Sequence, residues 1–266
     1  MRDLTKGAVL VTGGTKGIGL ATALAFARHG ARCVLTYRWG SADEDDVRRA
    51  FADIGAPEPL LVNADVSQAE ETQALLAEIA ERFDHVDTFV SNVALAGRVQ
   101  TLDDLSARAL HRTFDYSVVP TIEYLQGIRE TFGRPPRYLI ALSSTGIDHF
   151  TPNYALVAAS KAALEALCRY ITYQLRNEDI RFNTVRTVAV RTDSFRQVFG
   201  PDFEDTILKY MPKERLVDEA DVANVILGLC SGYFDGVKGQ SITVDKGAVF
   251  GDNVMRIYDE REKLGL

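Results

Sequence analysis

The stretch Ala8-Val9-Leu10-Val11-Thr12-Gly13-Gly14-Thr15-Lys16-Gly17-Ile18-Gly19-Leu20 decides how the rest of the chain is read. Its first four residues are apolar at successive positions, as a strand buried on both faces requires. Residues 17–29 then take up helical period. The glycines between strand and helix each have a separate reason. Gly13 permits a tight turn, Gly17 lets backbone approach a pyrophosphate, and Gly19 lets the helix pack close to the strand. The helix N-terminus offers unpaired N–H groups and the positive end of a dipole to an anion. Loops use glycine for many purposes, so the pattern alone says little. Its place between a buried strand and a helix is the context a phosphate cradle needs.

Outward from this stretch, apolar strand-like runs at 8–12, 32–37, 60–63, 86–91, 137–143, 181–186 and 240–244 alternate with helical periods at 17–29, 43–54, 68–83, 104–131, 154–175 and 219–229. The alternation predicts right-handed βαβ units and an α/β fold: a Rossmann-type doubly wound parallel sheet of about seven strands with helices on both faces. No repeat or linker divides the chain, so residues 1–266 are read as a single domain. Segment 191–215 is too long for a simple connection and is rich in both aromatic and basic residues, among them Phe195, Phe199, Arg196 and Lys209. It reads as a substrate lid whose charge steers an acidic carrier, or equally as a dimer-packing helix. The tail 246–266 has weak helical character at 254–264.

Composition narrows the partners. The chain has 46% hydrophobic and 25% charged residues and a formal net charge of −7. Such a balance suits a soluble core and argues against nucleic acid as the main partner. No apolar run approaches the roughly 18 residues of a membrane span, and the chain reaches its first strand too soon for a signal peptide, so a cytoplasmic protein is expected. Cys33, Cys168 and Cys230 lie far apart in apolar segments without metal-ligand spacing, which reads as buried thiols in a reducing compartment and no metal site.

The motif order resembles the short-chain dehydrogenase/reductase superfamily over roughly residues 7 to 247, as judged by motif succession. Thr12-Gly13 through Gly17 and Gly19 looks like its cofactor loop, and Asp65-Val66 like the pair that contacts adenine. Ser91-Asn92-Val93-Ala94 stands in place of the family's Asn-Asn-Ala-Gly. Ser143-Ser144, Ser160-Lys161-Ala162-Ala163-Leu164 and Val244-Asp245 follow in the family's order. The resemblance implies a nicotinamide cofactor held by Gly13, Thr15, Lys16, Gly17, Ile18, Gly19, Asp65, Val66, Asn92, Lys161 and Thr192. Strand two ends in Thr36-Tyr37-Arg38, without the carboxylate that NAD enzymes use for the 2′-hydroxyl. Arg38 can meet a 2′-phosphate instead, helped by Lys16 and Ser41, which points to NADPH. A merely solvated Arg38 is the plain alternative. Asp43 and Glu44 read as helix-start carboxylates.

The superfamily's tyrosine, four residues before the lysine, is Val157 here, and a valine delivers no proton. Tyr154 stands seven residues before Lys161. That Tyr-x6-Lys spacing is similar to the enoyl-acyl-carrier-protein reductases, a divergent branch of the superfamily. In a continuous helix the two would share a face about 10 Å apart along the axis. The resemblance assigns the oxyanion donor to Tyr154, ribose binding and a lowering of the phenol's pKa to Lys161, and a second donor to Ser144, with Ser143 an alternative. Tyr154 as mere packing and Lys161 as a solvated side chain are the bland reading. The family's water-relay Asn corresponds to Ser117. The expected activity is NADPH-dependent reduction of an activated C=C in a small-molecule or carrier-bound acyl substrate. A ketoreductase on a polyketide-like or quinone substrate and a non-catalytic NADPH-binding regulator stay open. The resemblance also implies a homodimer or homotetramer, with Leu164, Leu167 and Ile171 serving either that interface or the core.

Overall fold

The computed structural model of the chain describes residues 2–38, 43–95, 97, 99–190, 192, 208, 216–251, 253–263 and 265. Strands β1 (Ala8–Val11), β2 (Arg32–Tyr37), β3 (Leu60–Asn63), β4 (Val86–Ser91), β5 (Tyr138–Ser144), β6 (Arg181–Thr187) and β7 (Ser241–Val244) form one sheet in the order β3-β2-β1-β4-β5-β6-β7. Every pairing is parallel. The order reverses between β1 and β4, which opens a crevice at the carboxyl ends of those two strands. This is the Rossmann-type sheet that the alternation predicts.

Helices α1 (Gly17–Ala27), α2 (Glu44–Asp53), α3 (Ala69–Ala80), α4 (Ala107–Ser117), α5 (Val119–Phe132), α6 (Ala155–Gln174), α7 (Glu219–Leu229) and α8 (Asn253–Asp259) complete the described elements. Strand periodicity divides the core in two. Val9, Val11, Leu35, Ile140 and Val185 face Phe26, Val222 and Ile226 on one side. Ala8, Leu10, Phe89, Leu139 and Phe182 face Leu75, Ile128, Leu164 and Cys168 on the other. Burial of each such large side chain is worth roughly 1.5–3 kcal/mol before entropy is charged against it. On the second side Phe89 stacks on Tyr124 with ring centroids 5.1 Å apart.

The single helix expected at 104–131 is two helices. Val118 leaves helical geometry at φ −122°, and Pro120 sits in the first turn of α5. A proline there costs nothing, because that N–H has no intrahelical partner, whereas inside one long helix it would break a hydrogen bond. A short 3₁₀ turn, Leu102–Asp104, precedes α4 and carries a capping box between Thr101 and Asp104. Leu164 is buried in the core, and Leu167 and Ile171 pack against it. All three thus contribute to the core, and the outward face of α6 carries the exposed Tyr170 and Tyr173.

The lid assigned to 191–215 lies outside the described residues, apart from Thr192 and Leu208, and Ser41 is outside them too. On either side of that segment, Val190 forms a parallel bridge with Val217, and both are buried. Lys246 donates to the Leu216 carbonyl at 2.9 Å and pairs with Asp221 at 2.6 Å. The three cysteines are free and buried. Among the described residues no helix is long and apolar enough to cross a membrane.

Candidate active site

The glycine loop closes the crevice between β1 and β4. A Cβ at Gly19 would stand 2.3 Å from the Gly13 carbonyl oxygen, so α1 reaches the turn only because position 19 has none. Gly17 has φ +53°, and a Cβ there would lie 3.3 Å from the Thr192 methyl. Thr192 therefore lies over the cradle. Asn92 locks the turn from the neighbouring strand: its side-chain amide donates to the carbonyls of Thr12 at 3.0 Å and Gly13 at 3.2 Å. Asp43, Ser106 and Asp218 cap α2, α4 and α7, but α1 has no side-chain cap and no acid in its first turn. Its first N–H groups are left for an anion. Lys16 precedes the helix in extended geometry and is exposed. Thr15 is buried, and the side chain of Ile18 packs on the core, so Ile18 offers the crevice only backbone.

At the crevice's far rim, Arg38 is ion-paired at 3.6 Å to Asp65 and 3.8 Å to Glu71. It is 41% exposed yet not merely solvated. These separations are too long for hydrogen bonds, so its N–H donors are uncommitted among the described residues. Asp65 is already engaged: it accepts from the Ser67 N–H at 3.0 Å, the Ser67 hydroxyl at 2.8 Å and the Tyr116 hydroxyl at 3.2 Å. Glu71 accepts the Asp65 N–H at 2.7 Å. Tyr116 and Glu71 were not legible as rim residues. The Val66 side chain belongs to the core. Asp43 caps α2 as expected, and Glu44 beside it takes the Tyr37 hydroxyl and Arg48.

The two serines ending β5 separate by strand parity. Ser143 shares the side of Leu139 and Ala141 and donates to Glu165 on α6 at 2.6 Å. Ser144 points the other way and accepts the Gly146 N–H at 3.1 Å, starting the turn Thr145–Ile147. The Ser144 hydroxyl and the Tyr154 ring both border Gly146. A Cβ at Gly146 would come within 2.8 Å of the Tyr154 ring, so that glycine is the ring's bed. The geometry thus pairs Tyr154 with Ser144, not Ser143. Asn153, at φ +62°, turns the chain into α6, and Tyr154 is the residue before the first helical turn, not part of it.

Lys161 is 5% exposed, and no hydrogen bond or ion pair of its ammonium occurs among the described residues. Burial lowers it to about 8. It is not a solvated side chain. Burial also raises the Tyr154 phenol above its ordinary range, with the neighbouring Ser144 hydroxyl opposing in part. The lowering of the phenol by Lys161 is therefore corrected: desolvation outweighs any such effect in this site. Val157 is 4% exposed and belongs to the packing of α6, so it takes no part in chemistry. Ser117 is buried, and its hydroxyl oxygen accepts the Leu95 N–H from the loop after β4 at 3.1 Å.

A further group was not legible in the sequence. Glu165, one turn beyond Lys161, accepts two hydrogen bonds from the Arg186 guanidinium, which also reaches Asp148 at 2.6 Å. Burial pushes the Glu165 carboxyl up, but the Arg186 and Ser143 hydrogen bonds hold it below the ordinary carboxylate range. A charged residue on the apolar face of α6 was the available signal.

The cradle, the uncapped helix and the Lys161 ammonium, unpartnered among the described residues, together fit a dinucleotide. Residues 13–249 match the family model described as enoyl-(acyl carrier protein) reductase. The 1-cyclohexenylcarbonyl-CoA reductase of Streptomyces collinus is 31% identical over 90% of this chain and 85% of its own. The 7alpha-hydroxysteroid dehydrogenase of Escherichia coli K12 is 27% identical over 90% of this chain and 93% of its own. Among solved structures, a short chain dehydrogenase from Burkholderia cenocepacia in complex with NADP is similar with a TM-score of 0.81 and 25% identity, covering 94% of this chain and 100% of that one. The chain belongs to the short-chain dehydrogenase/reductase superfamily, in its enoyl-reductase-like branch, and is an NAD(P)H-dependent oxidoreductase.

Proposed function

We propose that the enzyme is an NADPH-dependent reductase of an activated C=C, acting on an enoyl thioester carried by coenzyme A or a carrier protein in a specialised biosynthetic pathway. The observation that carries this reading is that Tyr154 and Ser144 meet at Gly146, at the entrance of the helix that buries Lys161, with a core valine where the superfamily's tyrosine would stand. The relative from Streptomyces collinus is named for reduction of an acyl-CoA. Gly13, Thr15, Lys16, Gly17, Ile18 and Gly19 would hold the pyrophosphate, with Thr192 above it. Arg38 and Lys16 would hold the 2′-phosphate, Asp65 and Val66 the adenine, and Asn92 and Lys161 the nicotinamide ribose. When bound, the nicotinamide supplies the hydride.

The chain's own part is electrostatic. As charge moves onto the thioester oxygen, Tyr154 donates a hydrogen bond to the developing enolate, with the Ser144 hydroxyl as a second donor. Burial keeps the phenol protonated at neutral pH, so a donor is always present. The lid role of 191–215 is part of the same proposal. So is assembly as a homodimer or homotetramer through the outward face of α6, where Tyr170 and Tyr173 are exposed. The buried thiols suit the cytoplasm.

Three measurements test this reading. NADPH oxidation with crotonyl-CoA should proceed, with slower or no oxidation using acetoacetyl-CoA, free quinones and ketones; the reverse order would assign ketone reduction, and inertness to all would favour a regulator. The protein should bind NADPH more tightly than NADH, and Arg38→Ala should weaken NADPH by roughly 1.5–3 kcal/mol while sparing NADH. Equal dissociation constants in the parent protein would contradict the Arg38 role. Finally, Lys161 is cationic below about 8 and neutral above it in the cofactor-free protein. NADPH affinity should therefore fall as pH rises through that value, and Lys161→Met should bind more weakly with no such slope. An identical slope in the variant would remove Lys161 from the ribose site.

A further inference from the structure

The turn at 144–148 has to hold Ser144 and the bed of the Tyr154 ring in one place, yet its own bonds are few. Ser144 accepts the Gly146 N–H, and the Asp148 N–H reaches the Thr145 carbonyl. Both flanks of the turn are instead tied to one buried ion pair. On the near side Ser143 donates to Glu165 at 2.6 Å. On the far side Asp148 accepts from Arg186 at 2.6 Å. Glu165 and Arg186 close the circuit with two hydrogen bonds of their own, one of them Nε to Oε1 at 2.6 Å. The carboxylate is 3% exposed, so its partners are fixed ones. With both its oxygens held by Arg186, Glu165 leaves the Lys161 ammonium, one turn away on α6, without a carboxylate among the described residues.

We propose that the Glu165–Arg186 pair is a positioning device for the active site, clamping the turn between Ser143 and Asp148 so that Ser144 and Tyr154 face a substrate oxygen together. The proposal rests on the reading of Tyr154 as oxyanion donor. Glu165 and Arg186 act through the turn and do not touch substrate. A bidentate guanidinium–carboxylate pair fixes direction as well as distance, which a lone hydrogen bond does not. A donor displaced by about 1 Å loses up to about 100-fold in rate, so the clamp matters more to turnover than to folding.

The double variant Glu165→Met/Arg186→Met separates these two effects, because an apolar pair of similar volume in place of a buried ion pair leaves stability equal or higher. The expected result is an undiminished melting temperature and faster amide hydrogen exchange confined to the peptide spanning 143–154. With crotonyl-CoA, kcat should fall about 10- to 100-fold while the NADPH dissociation constant stays within about twofold. Asp148→Ala, at a half-exposed position, should give the same pattern more weakly, and it decides the matter should the double variant not fold. Parent-like exchange in this peptide, or a parent-like kcat in a folded variant, would overturn the proposal. A parent enzyme that reduces no enoyl thioester would sink the functional reading alone, and the exchange data would still decide whether the pair holds the turn.

Discussion

Helix α1 touches the turn after β1 at a place where no side chain fits. The Gly13 carbonyl oxygen occupies the space a Cβ on Gly19 would need, only 2.3 Å away. That contact fixes the rest of the cleft. It brings the uncapped N-terminus of α1 to the sheet edge and lets Asn92 of the neighbouring strand bond the Thr12 and Gly13 carbonyls. It also sets the floor over which Thr192 lies. The crevice at the β1–β4 reversal is the consequence of two backbones packed without side chains between them, and the dinucleotide site follows from it.

On the opposite wall the controlling element is α6. It begins one residue after Tyr154 and then presents Val157, Lys161, Leu164, Glu165 and Cys168 to the protein interior. One helix face thus carries packing and chemistry in alternation. Valine at 157 makes that position part of the core, and the phenol moves to the helix entrance, where Asn153 turns the chain and Gly146 backs the ring. There the ring is desolvated and the phenol keeps its proton. Lys161 is a cation in a place that burial penalises, which is tolerable where a ligand brings ribose hydroxyls and phosphate to it.

Much of this was legible in the sequence. Buried strands and helical periods identify the sheet almost to the residue, because parallel strands covered on both faces must be continuously apolar. The break at Val118 was hidden, since the apolar period of 104–131 runs straight through it and Pro120 alone does not say whether it begins a helix or kinks one. Ser143 and Ser144 could not be told apart without the strand's boundaries, because a shift of one residue exchanges the two faces. Leu164, Leu167 and Ile171 read equally as interface or core until the sheet beneath them was in place. The Glu165–Arg186 pair was out of reach for a further reason. Its partners come from β5, α6, β6 and the turn at Asp148, and only the adjacency of β5 and β6 brings them together. Segment 191–215 and Ser41 lie outside the described residues, so the lid stands on sequence alone.

The central claim is that the working phenol has moved from position 157 to Tyr154. The most direct measurement is the single-turnover rate of crotonyl-CoA reduction by Tyr154→Phe, taken beside its NADPH dissociation constant. Loss of one preorganised donor should slow the reaction by about 100-fold or more, with cofactor affinity unchanged, since the proposed site gives the phenol no part in holding the dinucleotide. A Tyr154→Phe enzyme that reduces crotonyl-CoA at the parent rate would contradict the account.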